Sequence, residues 1–418
     1  MAVHRTEARE RTHEELERIF EEVDAPFALV DLDAMWANGE AMLERAAGTA
    51  IRVASKSLRC RPLLAAILER DPGFRGLMTF TLPESLWLHE HGFDDLLLAY
   101  PTVHREALAE LGRVDGDSPP IVMVDSVEQL ELIEAAIGPG ARAIRVCIEL
   151  DVGWWPLGGR VKIGAKRSPI RTPQQAQALA REIVRRPAFE LAALMGYEAH
   201  IAGLGDQPHL KGSRRSGHGP LLAPSRLQKP AIRFIKRRSA AEIAERRAAA
   251  VAAVREVAPV PIVNGGGTGS IHTTSAEDVV TEVTAGSGFF APTLFDRYSS
   301  FTLKPAAMFA MPVVRRPNRS VATLLGGGYP ASGAAGPDRL PAPHLPPGLG
   351  VDPLEGAGEV QTPVTGPAAA SLRVGANVYL RHAKAGELCE RFNILYLISD
   401  GAIVDEVPTY RGEGRCEL

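Results

Sequence analysis

Short apolar runs alternate with helix-sized intervals from about residue 27 to residue 290. The apolar runs lie at 27–32, 51–56, 76–80, 95–100, 121–125, 144–151, 191–200, 261–264 and 279–285. Such alternation is typical of βαβ units that build a parallel sheet. With the first run set aside as a lead-in strand, eight β/α units remain over roughly 250 residues, which predicts an α/β fold, a (β/α)8 TIM barrel. An open doubly wound sheet is the alternative, but the G-x-G-x-x-G turn that usually follows an early strand of that fold is missing.

The segments before and after these units have a different pattern. Residues 7–23 are rich in Glu and Arg and carry Leu16, Ile19 and Phe20 at helical spacing, which predicts a surface helix. Beyond residue 302, strand-like runs at 311–315, 320–325, 371–379, 394–398 and 402–404 are separated by Pro- and Gly-rich loops. The stretch 326–358 is predicted to be an irregular loop. We therefore expect an N-terminal helix (1–24), a barrel (25–301) and a separate, mainly β C-terminal domain (302–418).

One interval inside the predicted barrel is longer than the others. Residues 205–238 form a basic stretch that contains Pro and Gly, before an Ala/Glu/Arg-rich helix predicted at 239–257. The stretch is either an elaborated surface loop or a lid or partner-facing insertion over the active-site face, because long loops are often functional.

Composition narrows the class of protein. With 418 residues, 45% of them hydrophobic, the chain can bury a sizeable core. The formal net charge of −3 argues against a nucleic-acid-binding protein, which usually carries a basic excess. The sequence predicts neither a secretory signal nor a transmembrane segment. The four cysteines are far apart, so we expect reduced thiols and a cytoplasmic protein.

Lysine is scarce in this chain, with 8 lysines among the 47 basic residues, so a lysine that closes an apolar strand needs an explanation. Lys56 closes the first predicted barrel strand, at the end where barrel enzymes keep their active sites. A lysine desolvated there becomes a nucleophile toward carbonyl compounds. The alternative is a lysine whose side chain simply reaches solvent from the strand end.

Two loops of small residues follow the last two predicted barrel strands. N-G-G-G-T-G-S spans 264–270, and A-G-S-G-F spans 285–289. Glycines let backbone amides approach an oxyanion closely, so such loops cradle phosphates. The first loop lacks the Gly-Lys-Ser/Thr ending of a Walker loop, and Ser270 stands at the third glycine position of the dinucleotide fingerprint. The phosphate of a small cofactor fits better, and the alternative is a pair of tight turns.

Three segments together resemble the fold-type III pyridoxal-phosphate enzymes: V-A-S-K-S at 53–57, the loop at 264–270, and E-V-T-A-G-S-G at 282–288. More narrowly, the chain resembles the D-threonine aldolase / D-serine dehydratase group, whose barrel is like the alanine racemase N-terminal domain. Within that group it is similar to proteins of the amino acid deaminase/aldolase type. F-A-L-V-D-L-D at 27–33, E-L-D-V-G at 149–153 and G-Y-E-A-H at 196–200 add to the likeness, which covers nearly the whole barrel.

The resemblance implies roles for particular residues. Lys56 corresponds to the lysine that forms the internal aldimine with pyridoxal 5'-phosphate. Tyr197 and His200 are expected to project toward the cofactor or substrate as catalytic residues. Their alternative roles are those of an ordinary barrel aromatic and a hydrogen-bonded histidine. The backbone amides assigned to the cofactor phosphate are those of Gly266, Gly267, Thr268, Ser287 and Gly288.

The C-terminal domain departs from the family pattern. Relatives carry a His-x-Cys or His-x-Asp metal pair there, whereas Lys384 stands two residues after His382 in R-H-A-K-A-G-E-L-C. A protonated lysine cannot ligate a cation. Three readings remain open: a divalent metal held by His382 with Glu387 or Cys389, the Lys384 ammonium in place of the metal, or a purely structural segment.

The tail T-Y-R-G-E-G at 409–414 also resembles the family pattern. Its Tyr410, Arg411 and Glu413 are expected to reach an active site, either within the chain or across the interface of a homodimer.

The cofactor would make the chain an enzyme acting on a small-molecule amino acid, through its ring as electron sink. We expect a lyase that acts on a D-amino acid, by retro-aldol cleavage of a β-hydroxy-D-amino acid or by its dehydration and deamination. An amino-acid racemase of the same fold and a non-catalytic pyridoxal-phosphate homeostasis protein are the alternatives. The roughly 110 residues beyond the barrel count against the second alternative.

Overall fold

The computed structural model of the protein describes residues 9–116, 118–207 and 228–417. The helices are α1 (His13–Ile19), α2 (Leu32–Ala46), α3 (Arg61–Arg70), α4 (Leu82–Glu90), α5 (Arg105–Leu111), α6 (Val127–Ile137), α7 (Pro173–Val184), α8 (Ala199–Ala202), α9 (Gln228–Arg255), α10 (Ile271–Thr274) and α11 (Ser287–Phe290). The strands are β1 (Phe27–Asp31), β2 (Ala50–Ala54), β3 (Phe74–Thr79), β4 (Leu96–Pro101), β5 (Ile121–Val124), β6 (Ile144–Glu149), β7 (Phe189–Gly196), β8 (Ile262–Gly265), β9 (Glu282–Ala285), β10 (Ala307–Asn318), β11 (Val321–Leu325), β12 (Ala342–Leu345), β13 (Gly350–Val351), β14 (Gln361–Thr365), β15 (Asn377–Arg381), β16 (Ile394–Ser399) and β17 (Ala402–Pro408).

Strands β2 to β9 form a closed parallel barrel, which confirms the predicted TIM-barrel class. Closure comes from β2, which pairs with β3 on one side and β9 on the other, so that Val53 lies opposite both Leu77 and Ala285. Because all eight strands run in the same direction, their carboxyl ends meet at one mouth of the barrel. The segments that follow β2, β4, β7, β8 and β9 are therefore neighbours.

The remaining strands form a second, mostly antiparallel sheet in the order β13-β14-β11-β10-β1-β16-β17, with β15 beside β10 and β12 beside β15. Strand β1 lies in the range predicted for the barrel (25–301) but belongs to this second sheet. It pairs antiparallel with β10 and parallel with β16, and all five of its residues are buried. The lead-in strand thus ties the start of the chain to the C-terminal domain.

Two segments differ from their predicted structure. The range 326–358 is not wholly irregular, because β12 and β13 lie within it; Pro343 and Gly350 give these short strands a composition typical of loops. Helix α9 begins at Gln228, ahead of the predicted start at 239, so the end of the 205–238 interval is helical. The part of that interval at 208–227 lies outside the described residues.

The N-terminal helix α1 is shorter than the predicted 7–23 and has a buried face. Thr12 caps it, accepting from the Glu15 amide while the Glu15 side chain accepts from the Thr12 amide. Leu16 and Phe20 pack into the apolar cluster that Phe27 and Leu29 form with the second sheet. No helix in the described part of the chain is long and apolar enough to cross a membrane.

Arg52 on β2 is fully buried inside the barrel and is the centre of an ion-pair network. Its guanidinium donates to Glu282 on β9 at 2.6 and 2.8 Å and to the Asp95 carboxylate at 2.9 Å. Its NH1 donates to the Asp95 carbonyl at 2.5 Å. A buried charge without a partner is costly, so any strand register that separates Arg52 from these acceptors is disfavoured. These bonds therefore hold β2, β4 and β9 in register.

Removing one member of this network should destabilise the barrel strongly. We expect Glu282→Gln to lower the free energy of unfolding by about 3–5 kcal/mol, because the Arg52 charge then stays buried with half its partners. The paired change Arg52→Met with Glu282→Met should cost less than Glu282→Gln alone. Denaturant unfolding measures both. Glu182→Gln is the control, since the exposed Arg185–Glu182 pair should contribute less than about 1 kcal/mol; equal losses at Glu182 and Glu282 would contradict the argument.

Candidate active site

Lys56 lies at the mouth of the barrel, in a single 3-10 turn (Ser55–Ser57) that follows β2 directly. Its Nζ donates a hydrogen bond to the Tyr100 hydroxyl at the end of β4, over 2.8 Å. Burial acts to raise the pKa of Tyr100, but the charges of Lys56 and Arg167 and the Lys56 hydrogen bond outweigh it and lower that pKa. The Tyr100 phenol is therefore more acidic than usual, because the two neighbouring cations favour its phenolate form.

Arg167 occupies the space between two tyrosine rings of this mouth. Its guanidinium carbon lies 5.2 Å from the Tyr100 ring centre and 5.4 Å from that of Tyr197. Tyr197 follows β7, and its burial raises the pKa of its hydroxyl to about 12, so the phenol stays protonated. The sequence prediction named Tyr197 but missed Tyr100 and Arg167. Their only sequence signal is their position, at a barrel strand end and in the long loop after β6.

The first glycine loop follows β8 and passes against Tyr197. Gly267 comes so close that a side chain there would lie 3.2 Å from the Tyr197 ring. Gly266 has a φ of +86°, in the left-handed region that glycine adopts without strain. Only a chain of small residues can follow this path, which brings backbone amides to the barrel mouth.

The second loop follows β9 and packs directly on the segment that carries Lys56. A side chain at Gly286 would lie 2.6 Å from the Ala54 carbonyl oxygen and 3.0 Å from the Ser57 Cβ. The two loops also meet each other, since the Thr268 and Ser287 hydroxyl oxygens are 3.3 Å apart. Both predicted phosphate loops thus lie beside Lys56 at the same mouth.

The amides of these loops are not equally available to a ligand. Gly266 N–H donates to Glu198 at 3.2 Å, and Gly267 N–H donates to the Ser270 hydroxyl at 3.1 Å. Gly288 N–H donates to the Thr268 hydroxyl at 3.1 Å. Of the five amides predicted for the phosphate, these three already have acceptors, and we expect Thr268 and Ser287 to be the principal contacts.

A half-buried arginine, Arg45, contacts the backbone of the first glycine loop. Arg45 of α2 donates to the Thr268 carbonyl at 2.7 Å, and its other terminal nitrogen is buried without a hydrogen-bond partner in the described structure. Burial lowers the pKa of Arg45 to about 10, so the group stays charged at neutral pH. Its charge favours an anion at the two loops.

Glu198, beside Tyr197, fixes the start of the first glycine loop. Its buried carboxylate accepts from Gly266 N–H, from the Ser270 hydroxyl at 3.3 Å and from the Thr274 hydroxyl. Arg247 of α9 neutralises it at 3.1 Å and also pairs with Glu277. Sequence reasoning placed Glu198 within a resembling segment but gave it no role.

His200 is less directly connected to Lys56. Its imidazole is buried, and neither ring nitrogen has a hydrogen-bond partner among the described residues. Burial lowers the pKa of His200, so the ring is neutral at pH 7. The ring faces the loop after β6, because a side chain at Gly164 would lie 2.9 Å from its Nδ1. The structure therefore places Tyr197 beside Arg167, which also lies beside Tyr100, the partner of Lys56. It places His200 against the loop that follows β6.

The comparison with a family model decides the relationship. The model for the alanine racemase N-terminal domain matches residues 30–291, more than half of the chain. The chain belongs to the alanine racemase N-terminal domain family. Its barrel is that of the fold-type III pyridoxal-phosphate enzymes.

Individual relatives agree with this assignment. A D-threonine aldolase from Arthrobacter sp. is 25% identical over 269 residues, a match that spans 64% of this chain and 61% of that relative, less than two thirds of its length. The structure of a D-threonine aldolase from Filomicrobium marinum aligns over 94% of this chain and 96% of its own, with a TM-score of 0.75 at 20% identity. A D-threo-3-hydroxyaspartate dehydratase from Delftia sp. aligns over 93% and 97%, with a TM-score of 0.68 at 23% identity. At these identities the two structures show the shared fold of barrel and second sheet.

The predicted metal ligands of this family member do not share a site. Among the described residues, no group of three or more His, Cys, Asp or Glu side chains is placed to hold a metal ion. The buried His382 ring packs edge-on against Phe290 with 6.3 Å between ring centres, and burial lowers the pKa of His382 to about 3. Cys389 is buried in the apolar core, where burial raises its pKa well above the usual value. With no third ligand grouped with them among the described residues, His382 and Cys389 are not expected to hold a divalent metal.

Lys384 lies close to this region but has its own partner. Its half-buried Nζ donates to the Ser332 carbonyl at 3.3 Å. Burial, followed by the nearby Arg339 charge, lowers the pKa of Lys384. The segment after it packs on the active site, since a side chain at Gly386 would lie 2.5 Å from the Lys56 carbonyl oxygen.

This arrangement predicts no stoichiometric metal binding at His382. Titration of the purified protein with Zn²⁺ in a calorimeter should reveal no tight 1:1 site that depends on this residue. His382→Leu should therefore leave any Zn²⁺ uptake by exposed groups, such as Cys416, unchanged. Tight equimolar uptake that disappears in His382→Leu would establish the metal site and contradict the packing argument.

Proposed function

We propose that the protein is a pyridoxal-phosphate-dependent lyase that acts on a β-hydroxy-D-amino acid, with Lys56 as the residue that carries the cofactor. One observation carries the proposal: the Lys56 amine stands at the barrel mouth, hydrogen-bonded to Tyr100, with both small-residue loops beside it. Lysine side chains are mostly exposed in proteins, so a half-buried lysine at a barrel mouth calls for a partner or a role. The names of the relatives, an aldolase and a dehydratase, support the reaction class.

The residues at the mouth fit this cofactor. Its phosphate would be held by the amides and hydroxyls of Thr268 and Ser287, with the Arg45 charge behind them. The ring would lie against Tyr197, near Arg167. When bound, the cofactor supplies an aldehyde for the Lys56 amine and a pyridinium ring that withdraws the electrons of a bond broken at Cα.

Tyr100 prepares the amine for this role. A lysine reacts with a carbonyl only as the neutral amine. The Tyr100 oxygen accepts the hydrogen bond from Lys56 Nζ, and the lowered pKa of Tyr100 makes its phenolate form easier to reach. We assign to Tyr100, as the phenolate, the removal of a proton from the Nζ ammonium group and its later return, so that Lys56 meets a carbonyl compound as the neutral amine.

Arg167 and His200 complete the proposed roles. Arg167 offers a guanidinium between two aromatic rings, a suitable partner for the carboxylate of an amino acid. His200 is neutral and has two unpaired ring nitrogens, so it can accept the proton of the β-hydroxyl group. Tyr197, protonated and half-buried, would lie against the face of the cofactor ring. A homodimer and a cytoplasmic location remain predictions.

The cofactor assignment is tested by absorbance. Purified protein with added pyridoxal phosphate should show a visible band that borohydride bleaches, and Lys56→Ala should abolish it, because the substitution removes the amine that would carry the cofactor. Lys162→Ala is the matched control, since that exposed lysine stacks on Trp155 instead. A wild type that stays colourless with added cofactor would exclude the proposal, as would an unchanged band in Lys56→Ala.

The reaction is tested with a panel of D- and L-amino acids, scored for glycine, oxo-acid, ammonia and inverted enantiomer. We expect turnover of β-hydroxy-D-amino acids, with glycine or an oxo-acid as product. His200→Asn should lower kcat by on the order of 10²-fold, the usual contribution of a general base. Racemisation of an amino acid without a β-hydroxyl group, at a higher rate, would replace the lyase assignment by the racemase.

A further inference from the structure

The C-terminal tail packs against helix α4 of the barrel within the same chain. Tyr410 is fully buried, and its hydroxyl donates to Glu84 Oε1 of helix α4 over 2.9 Å. Its ring packs edge-on against Trp87 of the same helix, with 4.9 Å between ring centres. The tail residue that resembles the family pattern thus contacts α4 and not the open mouth.

Glu84 connects this tyrosine to the segment that carries Lys56. Its second oxygen accepts from Phe80 N–H at 2.7 Å. The Ser55 hydroxyl donates to the Met78 carbonyl of β3 at 3.2 Å, and its proximity to Glu84 acts to lower the pKa of that carboxyl group. Ser55 immediately precedes Lys56, so a buried chain of contacts runs from Tyr410 through Glu84 to the residue next to the lysine.

The tail also holds the backbone on the other side of Lys56. Tyr410 N–H donates to the Arg59 carbonyl at 2.8 Å. Arg59 has a φ of +45°, a left-handed conformation that is unfavourable for a side chain of its size. The Cys60 thiol donates to the Pro408 carbonyl at 3.3 Å, and Arg61 pairs with Glu413 at 2.6 Å. Contacts from 408–413 therefore hold the backbone that follows the Lys56 turn.

We propose that Tyr410 and Glu84 are positioning residues that hold the Lys56 turn in the geometry needed to capture the cofactor. This inference rests on the proposed function, because it concerns how the Lys56 amine is oriented toward the cofactor. Neither residue touches the open mouth, so they act through Ser55 and the Arg59 backbone.

The electrostatics of the pair agree with this geometry. Burial raises the pKa of Glu84 to about 7, although its hydrogen bonds act in the opposite direction. Burial and the neighbouring Glu84 raise the pKa of Tyr410 well above its usual value, so its hydroxyl always has a proton to donate. Two donors, the Phe80 N–H and the Tyr410 hydroxyl, converge on one carboxyl group.

The test measures how fast the cofactor is captured. Cofactor-free enzyme is mixed with pyridoxal phosphate, and the visible band is followed in wild type, Tyr410→Phe and Glu84→Gln. In Tyr410→Phe, the loss of one buried hydrogen bond should slow the formation of the visible band by on the order of tenfold. Glu84→Gln should slow its formation as well, because an amide has one acceptor oxygen for the two donors from Phe80 and Tyr410. In the amino-acid assay, kcat should fall while KM stays within about threefold of the wild-type value.

Tyr379→Phe is the matched control. Tyr379 is a buried tyrosine of the same domain whose hydroxyl donates to Glu17 at 3.0 Å, at the far side of the sheet from Lys56. It should lower thermal stability without slowing the visible band. Equal slowing in all three variants, or wild-type rates in Tyr410→Phe and Glu84→Gln, would overturn the inference. If Tyr410→Phe fails to fold, Glu84→Gln decides alone, and a wild type that forms no band contradicts the proposed function instead.

Discussion

Closure of the parallel barrel is the constraint on which the site depends. Because β2 pairs with both β3 and β9, the residues after the first barrel strand lie beside those after the last one. Lys56 and Gly286 are far apart in the chain, yet Gly286 packs on the Ala54 carbonyl that precedes the lysine turn. An open sheet would leave β2 and β9 apart, and the Lys56 amine would then have no small-residue loop beside it.

Buried charges keep this arrangement in register. Arg52 inside the barrel and Arg247 beside it each lie between two carboxylates, Glu282 with Asp95 and Glu198 with Glu277. Such networks cost desolvation energy, which their geometry must recover, and they penalise any other strand register. The Glu198 network also directs the Gly266 amide away from the mouth, so the same charge that fixes the loop selects which of its amides remain available to a ligand.

The second sheet and the tail that follows it also contribute contacts to the candidate site. It contributes β1 from the start of the chain and the tail after β17, so the barrel is enclosed by segments from both ends of the sequence. Gly386 packs on the Lys56 carbonyl, and Tyr410 holds the Arg59 carbonyl three residues further on. The barrel alone supplies the chemical groups, whereas the C-terminal domain restrains the backbone that presents them.

The sequence by itself determined the periodic and clustered features of the protein. The eight apolar runs predicted the barrel strands, and Lys56 with the two small-residue loops predicted the place of the site, because strand periodicity and glycine clusters are local signals. Tyr100, Arg167, Arg45 and Glu198 carry no motif. Only tertiary structure decided that Tyr100 contacts the lysine, that Arg167 lies beside Tyr100, and that Arg45 and Glu198 hold the first glycine loop. The pairing of His382 with Cys389 stays a prediction, and tertiary structure alone decided that one side chain packs on Phe290 and the other in the apolar core. Which strands pair, and which buried side chains meet, depends on contacts between residues far apart in the sequence, and no local pattern encodes those distances.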